Sequence, residues 1–248
     1  MNPIGHTIIR LHEVASTNTL VMETERYLAQ HGLVVVARHQ TGGRGRIGKK
    51  WVSLPGAQLQ FSTVVHPKIP RDEVPGMALM AGVAVAEGLE RGLGLEPTLK
   101  WPNDVLLGGK KVCGILVEMK TDSAGSPRVV VGIGINCNGG ERDFPAGLRP
   151  LLTTLEHHAG GPVELDQLLG EILPRIQAWQ ERLDAGGKSE MLEAWQGRAH
   201  LAGRKLRYPT PQGAREGRAV GLTEEGYLLI ETPGGGRQVH VSGEIEWL

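Results

Sequence analysis

The spacing of hydrophobic positions changes character along the chain and marks out its elements. From Asn18 to Gln30, good helix formers with few apolar residues predict a first helix, with Ser16, Thr17 or Asn18 to cap it and Gly32 to stop it. Leu33 to Ala37 is a continuous apolar, mostly β-branched run suited to a buried strand, and it leads directly into a glycine- and arginine-rich loop from Thr41 to Lys50. Leu59 to Val65 reads as the next strand. Met77 to Arg91 has small and apolar residues at helical spacing, with Gly92 just beyond. Leu99 to Leu107 and Val112 to Met119 read as two strands joined by a turn at Gly108-Gly109, and Arg128 to Asn136 as a third. Glu164 to Leu183 is strongly helical, and Gly186-Gly187 separates it from a shorter helix around Ser189 to Trp195.

After Gly203 the pattern switches to short alternating runs between glycines and prolines: Lys205 to Tyr208, Gly217 to Leu222, Tyr227 to Thr232 and Gln238 to Val241. The expected fold is α/β (α+β). A mixed β-sheet domain backed by helices occupies residues 1–199, and a small C-terminal β-barrel occupies residues 200–248. No internal repeat at solenoid periods is present.

Composition narrows the function classes. A chain of 248 residues can bury a sizeable core and suits one large domain with one small one. Lys+Arg and Asp+Glu are equal at 27 each, so no global field draws the chain to nucleic acid or membrane, and any anion site must be local. Cys113 and Cys137 sit in apolar runs without metal or redox spacing and read as buried reduced thiols. No N-terminal stretch resembles a signal peptide, and no apolar run approaches the roughly 20 residues of a membrane helix. A cytoplasmic protein with no membrane partner is the expectation. Only 15 residues precede Ser16, too few for a three-helix DNA reader, so no DNA partner is expected either.

Candidate chemistry concentrates in the loop Gly43-Arg44-Gly45-Arg46-Ile47-Gly48-Lys49-Lys50-Trp51, where guanidinium groups and lysines stand among glycines that let backbone N–H groups approach an anion. Its alternative is a solvated basic turn. Gly43-x-Gly45-x-x-Gly48 fits the dinucleotide fingerprint, but a strand follows where a helix N-terminus must receive the pyrophosphate. Gly43-x4-Gly48-Lys49 fits most of a P-loop, but Lys50 stands where a hydroxyl must hold magnesium. What remains is a loop able to close over a phosphoryl centre, with Trp51 either stacking on an adenine or anchoring the core.

Further along, Lys100-Trp101-Pro102-Asn103-Asp104 is too polar for a buried strand centre: Lys100 could meet a triphosphate and Asp104 a magnesium ion or ligand hydroxyl, against the alternative of a surface turn with a weak Lys–Asp pair. Glycines interrupt the apolar runs at Gly114, Gly132 and Gly134, as a ligand pressing on the backbone would require. Of Lys110 and Lys111, one could meet a carboxylate and developing phosphoryl charge while the other is solvated. Asn136 could bond a ligand or cap a turn. His157-His158 reads as part of a loop without a metal-ligand partner, and no nucleophile–base pair of hydrolase type is evident.

G-R-G-R-x-G-x-x-W at 43–51, K-W-P-N-D at 100–104, G-K-K-V-x-G-I-L-V-E at 109–118 and G-I-G-I-N at 132–136, in that order, closely resemble biotin protein ligases. The resemblance implies a biotin pocket formed by Ser16, Thr17, Asn18, Gln40, Gly43, Arg44, Gly45, Arg46, Lys111 and Gly114. Arg44, Arg46 and Lys111 would be catalytic, near the carboxylate and α-phosphate, and Lys111 fits the family's lysine better than Lys110 because it lies three residues before Gly114. Arg46, Trp51, Lys100, Asn103, Asp104 and Asn136 would serve ATP, with Mg2+ held by the nucleotide and Asp104 rather than by protein alone. It further implies an SH3-like C-terminal barrel, a biotin carboxyl carrier protein domain as partner, and the ligase-only class that lacks an N-terminal DNA-binding domain. A homodimer through the central sheet is compatible with it. Biotin would be activated as its adenylate and passed to a carrier lysine. The rival readings are a lipoate–protein ligase, whose R-R-x-x-G-G-G stretch is absent here, and a nucleic-acid-binding module, which zero net charge and few aromatics disfavour.

Overall fold

In the computed structural model, which describes residues 2–248, the apolar runs of the first half of the chain assemble into one seven-stranded mixed sheet. Its strands are β1 (Thr7–Val14), β2 (Leu33–Gln40), β3 (Gln58–Val65), β4 (Thr98–Lys100), β5 (Asp104–Leu107), β6 (Lys110–Thr121) and β7 (Pro127–Asn136), in the order β1-β2-β3-β7-β6-β5-β4. β1 and β2 run parallel and every other neighbouring pair antiparallel.

Alternation along the central strands decides what each face does. Leu59 and Phe61 of β3, Ile115 of β6 and Val131, Ile133 and Ile135 of β7 join the main core. There they meet α3 (Met77–Leu93), α5 (Leu165–Asp184) and α6 (Lys188–Ala199). On the opposite face, α1 (Thr17–Glu23) and α2 (Glu25–Leu28) cover one end, packing Val21 and Leu28 on Leu33, Val35, Val64 and Val130. The rest of that face carries Gln58, Gln60, Ser62, Gly114, Gly132 and Gly134 and is left for the site.

Several boundaries differ from the sequence reading. β1 escaped it because an edge strand with Arg10, His12 and Glu13 half in solvent has no strong apolar period. The first helix breaks at Thr24 into α1 and α2. α3 runs through Gly92 and ends at Gly94, whose φ of 66° is the left-handed geometry a helix stop requires. The run from Leu99 to Leu107 is a hairpin, β4 folding back on β5 with Lys100 opposite Asp104. His157 and His158 lie in a short helix, α4 (Leu155–Ala159), rather than a loop.

The tail forms a five-stranded antiparallel sheet of β8 (Lys205–Thr210), β9 (Gly213–Leu222), β10 (Leu228–Glu231), β11 (Arg237–His240) and β12 (Glu246–Trp247), in the order β11-β10-β9-β8-β12. Its buried face, with Leu206, Tyr208, Leu228 and Ile230, belongs to the same hydrophobic cluster as Leu192 and Trp195 of α6. The Trp101 indole N–H donates to the Gly226 carbonyl at 3.1 Å, so the β4–β5 turn is fastened to the small sheet.

Candidate active site

The floor is a polar network built on β3. Gln40 accepts hydrogen bonds from the Thr17 backbone N–H (2.8 Å) and hydroxyl (3.2 Å) and donates to Gln60 (2.9 Å). The Ser62 hydroxyl lies 2.7 Å from the Thr17 oxygen and 2.5 Å from the Asn18 carbonyl oxygen. Ser16 caps α1 by accepting from the Thr19 N–H, which aims Thr17 and Asn18 at the sheet. The glycines expected to admit a ligand admit protein groups. A Cβ at Gly134 would sit 2.6 Å from the Trp51 indole, and one at Gly132 would overlap the Asn18 carboxamide.

The basic loop is a tight hairpin. Gly45 N–H donates to the Lys49 carbonyl (2.7 Å), Trp51 N–H donates to the Gly43 carbonyl (2.9 Å), and Arg44 bridges Lys50. Ile47 (φ 52°) and Gly48 (φ 71°) turn it, both in the left-handed region that a two-residue hairpin turn of this hand demands. A β-branched residue is strained there, and Ile47 is 71% exposed. Gly43 makes a close approach to Trp51, whose carbonyl a Cβ would meet at 2.7 Å.

Each cation has a distinct situation. Arg44 makes a bidentate pair with Glu118 at 2.9 and 2.6 Å. Arg46 donates to Asn103 at 3.3 Å, and burial pulls its pKa down against the opposing pull of Glu244 and Asp104. Lys111 pairs with Asp104 at 2.6 Å. Lys110, expected to be solvated, pairs with Glu141 at 2.6 Å. Lys49 pairs with Glu244 from the loop between β11 and β12. The Lys100 side chain has no salt bridge or hydrogen bond among the described residues, and its pKa is lowered by burial first, with Asp104 and Glu244 opposing. A half-buried cation without an ion-pair partner favours an incoming anion.

A β-bulge puts Lys111 where it is. The β5–β6 register slips between Val105 and Leu106, so Val112 is the extra residue, and Lys111 and Gly114 face the same side although three positions apart. A Cβ on Gly114 would lie 3.0 Å from the Lys111 ammonium.

Two cavities meet at this wall. The smaller, of about 110 Å³, is lined by Ser16, Thr17, Asn18, Gln40, Arg44 and Gly45, and also by Arg46, Asn103, Lys111 and Gly114. The larger, of about 590 Å³, is lined by Lys100, Asn136, Phe144, Leu151, Arg204 and Trp247. Lys49, Lys50, Trp51, Asp104, Lys111 and Glu244 belong to both. Asn103, expected beside the nucleotide, thus lines the smaller cavity with Arg46. Asn136 accepts from Gln58 at 2.8 Å while its own N–H2 is buried without a partner, as is the Trp51 indole N–H. No cluster of three metal-ligating side chains occurs among the described residues.

Sequence reasoning missed Gln58, Gln60 and Ser62, although alternating polar residues inside a buried strand were a legible signal. It assigned no role to Glu118, although that residue closes the motif at 109–118, and it missed Glu244, for which no local signal existed, since Glu244 stands 195 positions from its partner.

A mixed sheet carrying a two-chambered basic cleft, with a small β domain at its mouth, has the form of a ligase catalytic domain. The chain belongs to the biotin/lipoate A/B protein ligase family, which it matches over residues 11–136, and the biotin protein ligase C-terminal domain matches over residues 203–247. It is 34% identical to the bifunctional ligase/repressor of Bacillus subtilis over 98% of this chain and 74% of that protein. It is 32% identical to the biotin–[acetyl-CoA-carboxylase] ligase of Paracoccus denitrificans over 85% of this chain and 88% of that one. The solved structure of biotin protein ligase from Aquifex aeolicus in complex with biotin and ATP superposes with a TM-score of 0.85 at 32% identity, covering 98% of this chain and 99% of that one.

Proposed function

We propose that the chain is an ATP-dependent biotin–protein ligase, forming biotinyl-5'-AMP and transferring biotin to a lysine of a biotin carboxyl carrier protein domain. The observation that carries the reading is the meeting of a small polar chamber and a larger cavity at Lys49, Lys111 and Asp104, with Arg46 on the smaller side. A ureido ring has both donors and acceptors, and Thr17 and Gln40, which line the chamber with Gln60 and Ser62 bonded behind them, offer both. A dithiolane ring would leave that network unanswered, which disfavours lipoate.

In the first half-reaction the biotin carboxylate attacks the α-phosphorus of ATP and pyrophosphate leaves. Arg46 and Lys111 stand where negative charge gathers on the phosphorus oxygens, and their low-dielectric setting strengthens that stabilisation. Lys100, with no competing partner, suits the departing phosphates. The unpaired donor of Asn136 and the indole of Trp51 suit the base. Mg2+ prefers one or two carboxylates plus phosphate oxygens, and Asp104 alone fits that pattern only with the nucleotide present. Residues 1–199 are the catalytic part and residues 200–248 a C-terminal part that supplies Glu244 to the wall. A homodimer through the central sheet and a cytoplasmic location complete the reading; among the described residues no helix is long and apolar enough to cross a membrane.

The test is exchange of labelled pyrophosphate into ATP by the purified protein with magnesium, with biotin, lipoate or no acid. Exchange with biotin alone is expected. Exchange with lipoate alone would move the chain to the other branch of the family, and none with either acid would refute acid activation.

A further inference from the structure

Glu118 projects from β6 on the cleft face, beyond the last residue that β5 pairs with, Gly114. Past that point the outer side of β6 has no neighbouring strand. The carboxylate holds Arg44 through both guanidinium nitrogens and accepts a hydrogen bond from the Asn18 amide at 2.9 Å. It also faces outward: with Arg46, Trp101, Met119, Tyr227 and Val241 it lines a groove of about 260 Å³ on the outer side of the cleft. Glu118 therefore stands on the partition between the chamber that holds the acid and the surface from which a protein acceptor must approach.

The chamber's own carboxylates, Asp104 and Glu244, hold Lys111 and Lys49 and stay out of the outer groove, and Glu225, which lines the groove, holds no cation of the chamber. Glu118 differs, because it lines the outer groove while its partner Arg44 lines the substrate chamber. A phosphate anion in that chamber competes for Arg44 with a bidentate geometry of its own. Once Arg44 turns to the phosphate, Glu118 loses its one ion-pair partner among the described residues; Arg46 and Arg71 line the same groove without bonding it, and Asn18 still orients the carboxylate.

Resting on the ligase reading above, we propose that Glu118 is a catalytic residue of the second half-reaction, receiving the ammonium of the acceptor lysine and taking the proton shed as the amide forms. The lysine loses its first proton to solvent. Its amine then attacks the carbonyl carbon of the mixed anhydride, the C–N bond forms, the C–O bond to the phosphate breaks, and AMP leaves with the bonding pair. The remaining excess proton on nitrogen passes to Glu118 and from there to water. Because Arg44 masks the carboxylate until an anion occupies the chamber, the acceptor site is completed by the adenylate itself.

The test uses the full chain loaded with biotinyl-adenylate in single turnover, mixed either with a biotin carboxyl carrier domain or with hydroxylamine. Hydroxylamine is largely uncharged at neutral pH and needs neither an anionic receptor nor a base. Glu118→Gln keeps the shape and the Asn18 contact. It is expected to slow transfer to the carrier at least tenfold more than transfer to hydroxylamine and to move the carrier reaction's pH profile upward. Glu118→Asp should recover part of the carrier rate. Equal loss with both nucleophiles, or no loss with the carrier, overturns the proposal. Wild-type protein that forms no adenylate from biotin would overturn the ligase reading and this role together.

Discussion

Lys111 and Arg46 owe their importance to where their charges sit rather than to the charges themselves. Arg46 is desolvated and tied to the protein by a single 3.3 Å contact with Asn103, so it can turn to a ligand at little cost. Removing one pre-positioned donor from a charge-developing centre typically costs a factor of about 10²–10³ in rate. Arg46→Ala is therefore expected to lower biotin-dependent pyrophosphate exchange by about a hundredfold without changing the circular dichroism; unchanged exchange would remove Arg46 from the chemistry. Gly134 makes a structural counterpart. A methyl there meets the Trp51 ring at 2.6 Å, and the backbone of β7 is fixed on both sides by β3 and β6. Gly134→Ala should displace the indole and destabilise the fold by about 1–3 kcal/mol, as overpacking commonly does, with the loss read from urea unfolding. The strand glycines were visible in the sequence as anomalies, but their cause was not: only the folded chain shows that Asn18 and Trp51, distant in sequence, occupy the space.

At the scale of elements, the end of the sheet away from the site holds a pair of histidines, His31 buried and His66 half-buried. His31, ahead of β2, and His66, after β3, have ring centres 5.6 Å apart, and His31 accepts the His66 backbone N–H at 3.1 Å. Burial lowers both pKa values below the ordinary 6.5, with His66 adding to the effect on His31 and the Leu28 carbonyl partly opposing it on His66. The unfolded chain therefore binds more protons than the folded one as pH falls below about 6.5, and stability falls with it until the lowered folded-state pKa is passed. The melting temperature should drop between pH 7 and pH 5. His31→Asn, which keeps an acceptor near the same place and removes the titration, should flatten that drop; an identical pH dependence would exclude His31 as its source. Elements with strong periodicity, such as β7 and α5, were plain in the sequence, whereas β1 and the β4–β5 hairpin were not. Edge exposure weakens the apolar pattern of the first, and a three-residue strand is too short to show a period.

At the scale of the whole molecule, the small sheet is part of the main core. Tyr208, Ala219 and Ile230 share one buried cluster with Trp195 of α6 and Leu99 of β4, and the Trp101 indole bonds across to Gly226. Unfolding is therefore expected as a single cooperative transition, with calorimetric and van't Hoff enthalpies equal; two separated transitions would show that the C-terminal sheet holds together on its own. The same union brings Glu244 to Lys49, so the basic hairpin is held from the C-terminal side of the molecule.

The sequence by itself determined the alternation that makes one face of the sheet apolar, the glycine–arginine loop, and the motifs that mark the family, because each depends only on residues close in the chain. The tertiary structure alone decided which carboxylate each cation meets. Lys111 rather than Lys100 takes Asp104, Arg44 takes Glu118 and Lys49 takes Glu244. An ion pair forms between whatever groups folding brings within a few ångströms, and that proximity is set by strand register, one bulge and the docking of the small sheet, none of which spacing along the chain can express.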